Sequence, residues 1–139
     1  MTQASPTAWA RPLFVGYAVV LAVILLNPSA QLPSGGVGFV ERVLLDIGLG
    51  SHLVQGYRVE FVLNVAALVP VSLLGSLIWP HCNWRDWTAA CFVLSMGVEA
   101  VQALVLVERS STYVDVVANT AGAMIGALAI AAWRALNVE

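Results

Sequence analysis

The sequence contains no lysine and little charge of any kind. Only 10% of its 139 residues are charged and 60% are hydrophobic, and six arginines stand against eight acids for a net charge of -2. A soluble domain usually carries about 25% charged and 45–50% apolar residues. The composition therefore indicates a membrane protein, and it excludes the broad basic surface of a nucleic-acid-binding protein.

Cysteine and histidine are also scarce. The two cysteines, Cys82 and Cys91, are too few for a disulfide framework, and we interpret each as a small apolar filler. His52 and His81 fall in different loops without metal-ligand spacing. Hydrolases that rely on Ser–His–Asp or Cys–His groups are therefore disfavoured. The length fits a single domain, which we assign to residues 1–139.

Long apolar segments dominate what is present. Four of them approach the roughly 20 residues that a helix needs to cross a bilayer. They are Pro12–Pro28, Phe61–Pro80, Trp87–Val107 and Tyr113–Leu136. Because lipid offers the backbone no hydrogen-bond partners, each segment should be a helix. The predicted fold is an all-α, four-helix transmembrane bundle, and a signal peptide is the alternative interpretation of the first segment.

The stretch between the first two spans is longer and more polar. Ser34–Gly38, SGGVG, is predicted to be a flexible turn. Phe39–Gly50 should follow as a short helix, too short and too charged to cross a bilayer, which we predict to be interfacial or re-entrant. The other two connections, at 81–86 and 108–112, are tight, so consecutive spans should be antiparallel neighbours.

The aromatic residues support this number of spans and suggest an orientation. In an up-and-down bundle the five tryptophans fall at one membrane surface and Tyr57 and Tyr113 at the other, and both residue types favour the water–lipid boundary. The arginines are divided evenly between the two surfaces. If Arg58 and Arg109 belong to a site and are not counted, the positive-inside rule puts both termini in the cytoplasm of a multi-pass cell-membrane protein.

Polar side chains lie within the last three spans or just beside them and should meet in one leaflet. The set comprises Arg58, Asn64, Glu99, Gln102, Arg109, Asp115 and Asn119. Spacing puts Glu99 and Gln102 on one helix face, and Asp115 and Asn119 on another. A charge at the centre of a membrane helix costs roughly 2.5–3.5 kcal/mol, so these groups should be paired or open to a polar cavity. A buried polar clasp that fixes helix register is the alternative.

Other residues have structural interpretations. Gly122 and Gly126 continue the stripe of Asn119 and should let a neighbouring backbone approach closely. Pro70 is predicted to kink the second span, with its freed carbonyl met by neighbours. Eight further charged residues are predicted to be solvated flanks or interface anchors, namely Glu41, Arg42, Asp46, Arg85, Asp86, Glu108, Arg134 and Glu139.

The pattern from Ser95 to Gly126, S-x3-E-x2-Q-x6-R-x5-D-x3-N-x2-G-x3-G, resembles the VanZ-like membrane family. Asn64-x5-Pro70 is similar to that family's N-x5-P element, although Val-Ser follows where the family usually has x-G. The likeness covers about residues 58–128. It implies a small polytopic protein of the bacterial cell envelope. The family is linked to teicoplanin resistance and has been proposed to be distantly related to enzymes that exchange or cleave lipid head groups.

This resemblance suggests two functions of different classes. In an enzyme acting on a lipid-linked phosphate or head group, Glu99 or Asp115 would be the catalytic base. Arginines would bind phosphate and amides would orient the head group, the residues concerned being Arg58, Asn64, Gln102, Arg109 and Asn119. The cofactor is open between none and a divalent cation on the carboxylates, and no organic cofactor is expected.

In the alternative, the chain is a non-catalytic binder or shield of an anionic lipid or cell-wall precursor. The same arginines would hold the precursor, and the acids would balance their charge. In either case the partner is a membrane lipid or lipid-linked cell-wall precursor, and not a nucleic acid.

Overall fold

In the computed structural model, which describes residues 8–27, 31–105 and 112–137, these residues form five α-helices and no β-strand. The helices are α1 (Ala10–Leu26), α2 (Gln31–Asp46), α3 (Gly56–Ile78), α4 (Trp84–Val105) and α5 (Tyr113–Leu136). Within this described part, α3, α4 and α5 are long and apolar enough to cross a membrane, and α1 is a shorter apolar helix. The predicted all-helical class is confirmed, and the set of helices is consistent with a membrane bundle.

Local capping sets where the later spans begin. α5 begins at Tyr113, as predicted, because the Thr112 hydroxyl oxygen accepts a hydrogen bond from the Asp115 backbone nitrogen at 3.3 Å. α4 begins earlier than predicted because the Asn83 side chain accepts a hydrogen bond from the Arg85 backbone nitrogen at 2.8 Å. A cap of this kind extends a helix beyond its apolar core, which a hydropathy pattern does not show.

The segment between α1 and α3 differs from its prediction. The turn predicted at Ser34–Gly38 is wrong, since these residues lie within α2, and the helix predicted at Phe39–Gly50 ends at Asp46. A glycine destabilises a helix by about 1 kcal/mol relative to alanine. Two effects offset this loss: α2 packs on α3, and in an apolar setting the backbone must satisfy its own hydrogen bonds. α2 stops before Gly48, whose φ of +91° favours glycine.

Polar contacts fix the direction of the helices at one end of the bundle, which we call the polar end. Asn64 near the start of α3 contacts Asp115 at the start of α5. Gln102 near the end of α4 contacts the backbone of Leu25 at the end of α1. α3 and α5 therefore run in the same direction, and α1 and α4 run opposite to them.

An aromatic cluster closes the other end of the bundle. The ring of Phe14 in α1 packs edge-on against Trp79 after α3, with centroids 5.4 Å apart, and Trp79 lies 5.9 Å from Trp87 in α4. Arg134 of α5 donates a hydrogen bond to the Ser76 carbonyl at 2.6 Å at this same end. Arg134, predicted to be a flank or anchor, is half-buried and ties α5 to α3.

A seam of glycines joins α5 to α3, which is its most extensive neighbour. A Cβ atom on Gly122 would collide with the Val65 carbonyl oxygen, and one on Gly126 would collide with that of Val69. Since neither position has room for a side chain, the two backbones approach as closely as glycine permits. The close approach predicted from the small-residue spacing is confirmed.

Pro70 lies within α3, which continues through it to Ile78. Proline removes one backbone donor from the helix. The carbonyl that loses its helical donor is that of Ala66. The Tyr17 hydroxyl donates to the neighbouring Ala67 carbonyl at 2.8 Å and the Ser72 hydroxyl donates to the Val69 carbonyl at 3.2 Å, so neither bond meets the freed carbonyl, and the predicted kink stays a prediction. The first of these bonds also ties α1 to α3.

The outward faces of the helices are apolar. Val23, Val62, Leu94 and Val117, one from each of α1, α3, α4 and α5, are 60–67% exposed. An apolar surface of this extent is rare on a soluble monomer and suits contact with acyl chains. The fold therefore places polar groups inside and apolar groups outside, as a membrane setting requires.

Candidate functional site

A cavity of about 730 Å³ lies at the polar end of the bundle, and all five helices contribute to its wall. The structure brings five of the seven candidate side chains to this wall. They are Asn64, Glu99, Gln102, Asp115 and Asn119. The volume falls in the range of small-molecule sites, roughly 300–1,000 Å³. We call this space the polar cavity.

Asp115 is held in the wall by two neighbours. The Asn64 amide nitrogen donates to Oδ1 at 2.7 Å, and the Thr112 hydroxyl donates to Oδ2 at 2.8 Å. Hydrogen bonds to a carboxylate are stronger than those between neutral groups. They fix the orientation of the Asp115 side chain and, through Asn64, connect the start of α5 to α3.

Two buried amides direct their nitrogens into the protein. The Gln102 amide nitrogen donates to the Leu25 carbonyl at 2.8 Å, and that of Asn119 donates to the Ser95 hydroxyl oxygen at 2.9 Å. Asn119 is only 5% exposed, yet its Oδ1 has no hydrogen-bond partner among the described residues. Leaving a buried acceptor unsatisfied costs about 1–3 kcal/mol. This oxygen is enclosed by protein atoms, so its missing hydrogen bond is a cost to the fold.

Carboxyl side chains supply the formal charge of the wall. Glu41 of α2 and Glu60 of α3 line the polar cavity together with Glu99 and Asp115. Glu41, predicted to be a solvated flank or an interface anchor, is half-buried. Among the described residues, no arginine lines the cavity, and no group of three His, Cys, Asp or Glu side chains is placed to hold a metal ion.

The two candidate arginines are not part of the described wall. Arg58 is exposed, and it donates hydrogen bonds to the His52 carbonyl at 3.1 Å and to the Tyr57 hydroxyl at 3.0 Å. Because Tyr57 lines the cavity, Arg58 lies beside the cavity and not inside it. Arg109 falls outside the described residues.

Sequence reasoning assigned no role to three side chains that build or support the wall. Thr112 stands three residues before Asp115, the spacing of a capping box, so a helix-start signal was present. Ser95 shares a helix face with Glu99 at i, i+4, which was also visible. Tyr17 lines the cavity from within an otherwise apolar span, and a single tyrosine there carries no readable signal.

Comparison with known proteins agrees with these features. The profile of the VanZ/LLP1 family matches residues 14–134, from within α1 almost to the end of α5. No curated protein and no solved structure matches the chain. The family match confirms the resemblance found in the sequence and extends it over α1 and α2. The chain therefore belongs to the VanZ/LLP1 family.

Proposed function

We propose that this chain binds the head group of a membrane lipid, or of a lipid-linked cell-envelope precursor, in the polar cavity. The observation that supports this most is a cavity of about 730 Å³, whose wall sets carboxyl and amide groups among apolar side chains, inside a bundle with apolar outer faces. A lipid satisfies both surfaces at once, because its acyl chains remain on the apolar faces while its head group enters the cavity.

In this proposal the residues beside the cavity and those in its wall bind different parts of the lipid. Arg58, beside the cavity, binds the lipid phosphate, since guanidinium groups bind phosphate oxygens in a bidentate way. Arg109 is the second phosphate ligand. The amides of Asn64, Gln102 and Asn119 orient the head group. The cavity opens to the outer leaflet, where glycopeptides meet cell-wall precursors, and this gives the family's link to teicoplanin a physical basis.

A second candidate function is chemistry on the bound head group, with Asp115 or Glu99 as general base. The fixed orientation of the Asp115 carboxylate favours it, because a base must be held within reach of the proton that it removes. If no chemistry occurs, the chain is a binder or shield of the same lipids.

Two adjacent glycines of α2 allow a matched test of binding. Gly36 lines the polar cavity and Gly35 does not, and an added Cβ atom meets nothing within 4 Å at either position. Both changes to leucine raise helix propensity equally, but only Gly36→Leu adds bulk at the cavity. Native mass spectrometry after exposure to total envelope lipid should show most lipid lost in Gly36→Leu and retained in Gly35→Leu. Equal retention would refute the proposal.

Amide variants that keep side-chain size separate the two candidates. In Asp115→Asn and Glu99→Gln, turnover of radiolabelled lipid should disappear while lipid retention persists, if the chain is an enzyme. If the wild type shows lipid retention and no turnover, the binding function stands alone. Loss of both retention and turnover in either variant would assign that carboxylate to binding.

A further inference from the structure

We infer that the phosphate of an anionic phospholipid binds at a second site, at the tryptophan end of the bundle, where Trp79 and Trp87 lie. The site is a pocket of about 270 Å³ between the end of α3, the turn that follows it and the last turns of α5. We call it the arginine pocket, after Arg134 in its wall. It shares no lining residue with the polar cavity, so this inference does not depend on the proposed function.

Arg134 brings a positive charge to the wall of the arginine pocket. Its guanidinium donates to the Ser76 carbonyl at 2.6 Å and, more weakly, to the Pro80 carbonyl at 3.5 Å. A guanidinium has five N–H donors, and these two bonds use only two of them. The carbonyls at the end of a helix together carry about half a negative charge, so they offset only part of the charge of Arg134. A half-buried guanidinium with these partners favours an anion beside it.

Arg85 places a second guanidinium beside the arginine pocket. Its central carbon lies 4.8 Å from the centroid of the Trp84 ring, and Trp84 lines the pocket. This cation–π contact holds the side chain in place without an oxygen acceptor. The N–H groups of Arg85 therefore stay available to phosphate oxygens, which guanidinium groups bind in a bidentate way.

The charges of this end favour an anionic lipid over a zwitterionic one. Among the described residues here, three arginines, Arg11, Arg85 and Arg134, stand against the single carboxylate of Asp86. Asp86 does not line the pocket, and its Oδ2 accepts a hydrogen bond from the Asn83 backbone nitrogen at 2.8 Å. A lipid whose phosphate is not balanced by an ammonium group therefore neutralises this end best.

Tryptophans put the arginine pocket at the depth of lipid phosphates. Trp84 lines the pocket, and Trp133, next to Arg134 in the chain, is 57% exposed. Tryptophan side chains favour the boundary between water and lipid, which is also where the head groups lie. A phospholipid can therefore place its phosphate on the arginines while its acyl chains contact the indoles, which a free phosphate ion cannot do.

Protection of Cys82 measures binding at this site in the wild-type protein. Cys82 lines the arginine pocket and is half-buried, whereas the other cysteine, Cys91, is only 3% exposed. In mixed micelles, dioleoyl phosphatidylglycerol should slow the labelling of Cys82 by maleimide at roughly fivefold lower concentration than dioleoyl phosphatidylcholine, the effect of one additional charge near a membrane surface. Equal protection by the two lipids would overturn the inference. Protection by inorganic phosphate alone would also overturn it, because the ligand would then be a free anion.

Two pairs of variants locate the site, each with a matched control. Arg134→Gln and Arg11→Gln each remove one arginine from this end, but only Arg134 lines the pocket. Ala131→Leu and Ala132→Leu add the same bulk to α5, but only Ala131 lines the pocket. The preferential protection by phosphatidylglycerol should be lost in Arg134→Gln and Ala131→Leu, and it should persist in both controls.

The remaining outcomes decide against the site or pass the decision to the alanine pair. If Arg11→Gln removes the preference as fully as Arg134→Gln, the preference comes from the charge of the whole end and the inference is overturned. A preference that persists in folded Ala131→Leu overturns it as well. If Arg134→Gln does not fold, because it also loses the contact with Ser76, the alanine pair decides. The proposed function is tested separately at Gly36, so each can fail without the other.

Discussion

Asp115 connects the fold to the cavity at the scale of single residues. Its backbone nitrogen donates to the Thr112 hydroxyl oxygen that caps α5, and its carboxylate accepts a hydrogen bond from the Asn64 amide of α3. A single side chain therefore sets a helix end, a helix–helix contact and part of the cavity wall. Its removal should affect stability as well as binding.

A double-mutant cycle on Asn64 and Asp115 measures this contact. We expect Asn64→Leu and Asp115→Leu to be coupled by about 1–2 kcal/mol in the free energy of unfolding, since the acceptor is charged and the pair is partly buried. Chemical unfolding in mixed micelles of the two single variants, the double variant and the wild type gives this value. Additive effects would show that the bond contributes nothing to the fold.

At this scale the sequence predicts which polar side chains lie close together, but not which groups they form hydrogen bonds with. The spacing of Glu99 and Gln102, and of Asp115 and Asn119, placed these residues on shared faces, and the structure puts all four on the cavity wall. Rotamers and neighbours decide the rest. Gln102 reaches a backbone carbonyl of α1, which no sequence pattern encodes.

The α3–α5 seam is the strongest contact at the scale of elements, and it depends on glycine. The backbone of Val65 leaves no room for a Cβ atom on Gly122. Backbone atoms cannot rotate away as a flexible side chain can, so a methyl group here must push the helices apart.

Gly122→Ala should therefore destabilise the protein by about 1–3 kcal/mol, because overpacking outweighs the gain in helix propensity. Gly97→Ala is the matched control, since Gly97 also lies within a helix but an added Cβ atom there meets nothing within 4 Å. The control should be neutral or stabilised by up to about 1 kcal/mol. The melting temperatures of the wild type and both variants are measured in one detergent. An unchanged melting temperature for Gly122→Ala would contradict the close contact between α3 and α5.

Helix type was easier to predict from sequence than helix bounds. The predicted span Tyr113–Leu136 coincides with α5, because Thr112 and the apolar run agree on its start. α3 begins at Gly56, ahead of the predicted Phe61, since polar residues continue the helix beyond its apolar part. The turn predicted at SGGVG was wrong, because tertiary packing of α2 outweighs the weak intrinsic preference of glycine against helices.

The whole molecule has two chemically different ends. The polar cavity lies at one end, and the cluster of Phe14, Trp79 and Trp87 lies at the other. The family match and the three long apolar helices support a membrane protein. Which end faces the cytoplasm decides which leaflet supplies the ligand.

Cysteine labelling tests the orientation that the proposed function needs. Cys82 lies in the turn between α3 and α4 at the tryptophan end, and His52 is exposed in the loop before α3 at the polar end. We expect a membrane-impermeant maleimide to label His52→Cys in intact spheroplasts, and to label Cys82 only after permeabilisation. The reverse pattern would put the polar cavity in the cytoplasmic leaflet.

Photo-crosslinking tests the central claim most directly, that a lipid head group occupies the polar cavity. Lipids that carry a photoreactive diazirine on the head group would be incorporated into vesicles with the wild-type protein, and the crosslinked residues would be mapped by mass spectrometry. Crosslinks should concentrate on the lining residues Val37, Leu63 and Ala67. Crosslinks restricted to outward-facing residues such as Val62 and Leu94, with none on the lining, would contradict the account.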